Sequence, residues 1–216
     1  MPYVTVNDMR IYYEFTGPED GPLILQFGGS LFGRQNFGSV NDGHPERTIA
    51  ACADCAFARC DVYRRTMFRS WRKMAEAMPL DDFCDLLTIQ AVSADFIEAN
   101  PDIFDTVRRV VAKNSPYTVR QACLAMETMD LESLARSLRR PILFTNGTRD
   151  IMTPPDLAPS GFSARQIVAA VPEFAGLHEF PAIGHADLLE VPTEAVEVVG
   201  AFFQEVLARE DAAVTA

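Results

Sequence analysis

Three groups of residues carry types and spacings that could do chemistry. Cys52-x-x-Cys55 with Cys60 invites a zinc or redox reading, because thiolates bind soft metals and exchange disulfides. A structural zinc needs a second ligand pair, and neither His44 nor Cys84 stands at a recognised spacing, so these cysteines read as small buried thiols. Asp150, in Gly147-Thr148-Arg149-Asp150, and His185, in Pro181-Ala182-Ile183-Gly184-His185, are types that proton transfer uses. Taken singly they are an acidic turn residue and a loop histidine. Asp54 reads as a strand-end aspartate, and His44 and His178 as ordinary surface or strand-end histidines.

The elements that must position these residues fall into three blocks. Tyr3-Val4-Thr5-Val6, the turn Asn7-Asp8 and a β-rich run from Arg10 to Phe15 suggest a hairpin. The turn 17–22 precedes Leu23-Ile24-Leu25-Gln26-Phe27, an apolar run fit for a strand buried on both faces, which ends in Gly28-Gly29-Ser30. Residues 33–43 read as loop, and 48–53 as a short buried strand, although a helix is also possible. From about Asp61 to Arg140 apolar residues recur at helical spacing, as in Phe68, Trp71, Met74-Ala75 and Met78. Pro79, Asn100-Pro101 and Ser115-Pro116 divide this stretch into several helices without an intervening strand. Trp71 and its aromatic neighbours read as the core of that block. After it come a strand at 141–147, a helix at 163–171, a short strand at 178–180 and a closing helix from about Thr193 to Arg209, with a frayed tail.

Bulk properties exclude some roles. The 216 residues fit one domain, or one with an elaboration, and a net charge of −11 argues against nucleic acid or an anionic membrane as partner. No run approaches the ~20 apolar residues of a membrane span. The start lacks a signal-peptide pattern, and five cysteines is an odd number, so a cytoplasmic location is expected.

The C-terminal third resembles the end of an α/β-hydrolase. Gly147-Thr148-Arg149-Asp150 followed by Thr153-Pro154-Pro155 matches the family's acid turn, and Pro181-Ala182-Ile183-Gly184-His185-Ala186-Asp187, with Pro192 and a closing helix after it, matches its histidine loop. The order, acid then histidine, agrees with the family. The resemblance implies that Asp150 orients His185 and that His185 is a general base toward a serine. Gly28 and Gly29 match the loop that donates a backbone N–H to the oxyanion hole, with Phe27 where many members have histidine. The 61–140 block resembles the helical lid of esterase, lactonase and C–C-bond hydrolase branches. The implied fold is α/β: 1–60 and 141–216 as two parts of one hydrolase core, 61–140 as an all-helical lid, and no metal or organic cofactor. Asp54 falls where some branches carry their acid.

The family's G-x-S-x-G elbow does not occur in the sequence. Gly28-Gly29-Ser30-Leu31-Phe32 lacks the last glycine and falls on the oxyanion loop. Gly38-Ser39-Val40 and Ser160-Gly161-Phe162-Ser163 read as loops without a flanking strand. His44-Pro45-Glu46-Arg47 already resembles sequence beyond the elbow helix. Two strands with their helices are thus missing near Gly43-His44, on the order of 60 residues at roughly 30 per strand–helix–strand unit. The implied sheet is truncated and mostly parallel. Two functions follow: a hydrolase of small esters, lactones or C–C bonds, or a non-catalytic remnant that binds a ligand or partner.

Overall fold

The computed structural model describes residues 3–6, 9–12, 49–111 and 115–214. The expected 23–27 strand, Gly28, Gly29, Ser30, Ser39 and His44 lie outside them. Strands β1 (Tyr3–Val6) and β2 (Met9–Tyr12) pair antiparallel across Asn7-Asp8, as the hairpin reading requires.

The centre is a parallel sheet of β3 (Ala51–Asp54), β5 (Ile142–Gly147) and β7 (Ala175–Phe180), in the order β3-β5-β7. Ala51 stands beside Ile142 and Thr145 beside His178, so all three strands end on the same side. Five of the six β5 residues are buried, as expected of a parallel strand covered on both faces. Among the described residues no strand pairs with the other edge of β3.

Between β3 and β5 the chain is almost wholly helical: α1 (Val62–Ala77), α2 (Leu80–Ala91), α3 (Ala94–Ala99), α4 (Ile103–Val111), α5 (Pro116–Thr128) and α6 (Glu132–Arg136). Three of the breaks sit where the prolines placed them, whereas those at Val92-Ser93 and at 129–131 contain no proline and were not expected. Pro79 caps α2, and Pro116 opens α5 behind Ser115, whose hydroxyl accepts the Thr118 N–H. Asp61 caps α1, accepting from the N–H of Arg64 at 2.8 Å. Phe68 and Trp71 meet edge to face at 5.2 Å and pack with Ala75, Phe83, Leu87, Val119 and Cys123. Trp71 is therefore core. Met152, from the loop after β5, joins the same cluster and ties the acid turn to the helices.

A second core lies on the sheet, where Ile142, Phe144 and Ala175 meet Ala164, Ile167 and Val171 of α7 (Ala164–Ala170) and its exit. Two features depart from the sequence reading. A short strand β4 (Phe57–Arg59) pairs antiparallel with β6 (Phe162–Ser163), so Ser163 ends a strand and precedes a helix. The closing helix α9 runs from Pro192 to Val214, past Arg209, with a short α8 (Asp187–Glu190) before it. No described helix is long and apolar enough to cross a membrane.

Candidate functional site

Asp150 and His185 come from loops after β5 and β7, and backbone contacts hold those loops together. The N–H of Thr148 donates to Phe180 O at 2.9 Å and that of Arg149 to Ile183 O at 2.8 Å. The Thr148 hydroxyl accepts the Ala182 N–H at 2.8 Å, with Ala182 in the left-handed region at φ 65°. A Cβ on Gly147 would lie 2.0 Å from the carbonyl oxygen of Gly184. Only glycine permits that approach. Glu190 completes the histidine loop by accepting from the N–H groups of Gly184 and Ser93 and from the Ser93 hydroxyl.

The two side chains meet. His185 Nδ1 lies 3.1 Å from Asp150 Oδ2 and 3.0 Å from Thr153 Oγ1. The Asp150 side chain is fully enclosed, whereas 26% of that of His185 remains exposed. Oδ1 of Asp150 accepts from the N–H groups of Met152 (2.8 Å) and Thr153 (3.0 Å), and Oδ2 accepts from Asn146 Nδ2 (3.3 Å). Burial works to raise the Asp150 pKa, but the His185 charge, the bond to His185 and the two N–H groups outweigh it and bring it down to about 2. For His185, burial favours the neutral ring, but the charge and hydrogen bond of Asp150, assisted by the Asp54 charge, raise its pKa above the ordinary value.

An ionised Asp150 can only accept, so Nδ1 carries the hydrogen and Nε2 presents its lone pair. The Thr153 hydroxyl donates to Cys55 O at 2.7 Å, its shortest contact. Nε2 makes no hydrogen bond among the described residues. The arrangement can accept a proton at Nε2 and hold the resulting imidazolium.

Beside this pair lies a group that the sequence did not single out as one. Cys55 follows β3 with φ 48°; its N–H donates to Thr145 O and its thiol to His185 O at 3.0 Å. Asp187 is completely buried, and neither of its oxygens makes a well-formed hydrogen bond among the described residues; only the Leu188 N–H lies near enough to favour its charged form. Burial and the facing Asp54 push its pKa up to about 9. The Thr145 hydroxyl donates to Asp54 at 3.1 Å.

The thiols, Ser163 and His178 take no part in that proton transfer. All five cysteines are free thiols. Burial pushes Cys52 and Cys60 up to about 12 and Cys123 to about 11, and it raises Cys84 and, well above the ordinary value, Cys55. None is an activated thiolate. Ser163, now seen at a strand-to-helix turn, is buried, and its hydroxyl is held by Pro155 O at 2.7 Å and Gln166 as the cap of α7. It is a structural serine. His178 lies in β7 against Phe180. Thr153 stood inside the matched acid motif and Asp187 inside the matched histidine motif, though neither was given a role, whereas Asn146 and Glu190 carried no signal that spacing alone could reveal.

No family model matches this sequence, and no curated protein is significantly similar to it. Solved structures do match. An enol-lactonase from Burkholderia xenovorans has a TM-score of 0.66 at 19% identity, with 77% of this chain covering 60% of that one. An α/β-hydrolase enzyme from a Medee basin deep-sea metagenome library has 0.65 at 18%, with 76% covering 58%. An esterase from Thermogutta terrifontis has 0.61 at 16%, with 77% covering 59%. The chain thus spans about three-fifths of the length of each of these structures. The shared parallel sheet, with loops after its strand ends bringing Asp150 to His185, makes this an α/β-hydrolase fold.

Proposed function

We propose that this chain derives from a hydrolase of small ester, lactone or C–C-bond substrates, and that it retains the base and its orienting acid without the serine they serve. The observation that carries this reading is the Asp150–His185 contact at 3.1 Å, with Asp150 ionised and Nε2 free of hydrogen-bond partners among the described residues. In the parent reaction His185 takes the serine proton and returns it to the leaving group, while Asp150 fixes the ring and stabilises the imidazolium. Gly28 and Gly29 are assigned the oxyanion donors, 61–140 the lid, and the space between them and His185 the substrate pocket. That chemistry needs no metal or organic cofactor.

The absence of G-x-S-x-G from the sequence and the strandless edge of β3 among the described residues favour loss of the elbow with its strand. The non-catalytic reading of this chain therefore stands ahead of the catalytic one, with binding of a small apolar ligand as its remaining capacity. Free thiols at all five cysteines fit a cytoplasmic setting. The test is hydrolysis of p-nitrophenyl esters by the wild type and His185→Ala. Equal rates are expected. A wild-type rate that falls sharply in the variant would show that a nucleophile is present and working.

A further inference from the structure

Asp54, Cys55 and Asp187 each bring one potential ligand atom to within 4.8 Å of the others. Neighbouring residues of a strand normally point to opposite faces. The left-handed conformation of Cys55 (φ 48°), directly after β3, interrupts that alternation, and the thiol and the Asp54 carboxyl reach the same place. Asp187, at the start of α8, closes the group from the histidine loop. It is completely buried, and neither of its oxygens makes a well-formed hydrogen bond among the described residues, the Leu188 N–H giving only weak support to its charged form. A buried carboxyl without donors costs stability unless a proton or a cation faces it. Neither Asp54 nor Asp187 forms an ion pair with a described side chain.

We propose that Asp54, Cys55 and Asp187 bind a thiophilic divalent cation of the zinc type. One sulfur and two carboxylate ligands suit Zn²⁺ or Cd²⁺, with a water completing the sphere. They are too few and too soft for Ca²⁺ or Mg²⁺, which prefer six or more oxygens. The cation replaces the thiol proton and any carboxyl proton, which pass to solvent, and nothing is oxidised or reduced. Cys55 is also close to Asp150 and His185, but there the ligand atoms are already used: Asp150 accepts from Met152, Thr153, Asn146 and His185. The open lone pairs lie on the Asp187 side. The site is independent of the hydrolase reading, and the metal has no part in that reaction.

The test is a Cd²⁺ titration of the reduced full chain, reading thiolate-to-metal charge-transfer absorption in the near ultraviolet, with competition by Zn²⁺. The expected result is a saturable band at one equivalent that Cys55→Ala abolishes. Removing even an outer-shell partner of a metal commonly costs 10–100-fold, so Asp187→Asn is expected to weaken binding about a hundredfold or more. Cys52→Ala and His185→Ala should bind as the wild type does. Asp187→Asn should melt no lower than the wild type, since it removes a buried carboxyl that has no ion-pair partner among the described residues. Should it fail to fold, the exposed Asp54→Asn gives the same readout. Absence of the band, wild-type affinity in the Asp187 or Asp54 variant, or equal weakening by His185→Ala would each overturn the proposal.

Discussion

Both oxygens of Asp150 are occupied by donors, and that is why burial fails to neutralise it. The Asp150 pKa is depressed, so the contact contributes stability that is present above the unfolded value of about 3.9 and is lost as pH falls toward about 2. The His185 pKa is raised, so the same contact stabilises fully below the unfolded value of about 6.5 and weakens as pH rises through the folded one. Following the His185 ring by NMR should give a pKa above 6.5 that drops in Asp150→Asn; an unchanged value would contradict the pairing. Removing one partner of a buried pair typically costs about 3–5 kcal/mol, so that variant should also melt well below the wild type. Asp187 runs the other way. Its raised pKa means that stability declines between about pH 4 and about pH 9 as the unfolded state loses a proton that the fold retains. In the absence of metal, Asp187→Asn should raise Tm, and by more at pH 8 than at pH 5. A gain that shrinks with pH would refute this. At this scale the sequence disclosed Asp150 and His185 because loop context marks them. It gave Asp187 a place in the histidine loop but no role, and it did not mark Asn146, whose bonds to Asp150 and Thr153 exist only once the acid turn has folded.

The elements place these residues through close backbone contact. Gly147 is the clearest case, since a methyl group there would collide with the Gly184 carbonyl at 2.0 Å, a rigid main-chain atom. Gly147→Ala should separate the acid loop from the histidine loop and lower Tm sharply. Gly200, by contrast, lies within α9 with nothing within 4 Å of an added Cβ. Gly200→Ala should therefore stabilise the protein by roughly 0.5–1 kcal/mol, the ordinary helix-propensity difference. Opposite signs in two Gly→Ala variants, read by thermal melting, separate a contact-driven glycine from an incidental one. The helical block and its proline breaks were legible because proline and 3.6-residue periodicity are local signals; the breaks at Val92-Ser93 and at 129–131, which lack proline, were not. Strands β4 and β6 were not. At three and two residues they lack any periodicity, and pairing across about a hundred residues, not local preference, makes them strands.

The whole molecule is an α/β-hydrolase fold that spans about three-fifths of the enzymes it resembles. Order along the chain made that fold readable, because acid turn, histidine loop and closing helix follow one another in the C-terminal third. The pentapeptide G-x-S-x-G does not occur in the sequence, and among the described residues the outer edge of β3 carries no strand. The proposed loss of an elbow segment would be tested by transcript sequence across Gly43-His44, where recovery of a G-x-S-x-G segment would assign it to the parent message. The most direct test is on the protein itself: treatment of the purified wild-type and His185→Ala chains with a fluorophosphonate, followed by intact mass. On the proposed reading, in which His185 serves no serine in this chain, unchanged mass in both is expected. A stoichiometric adduct on one serine of the wild type, lost with His185, would contradict that.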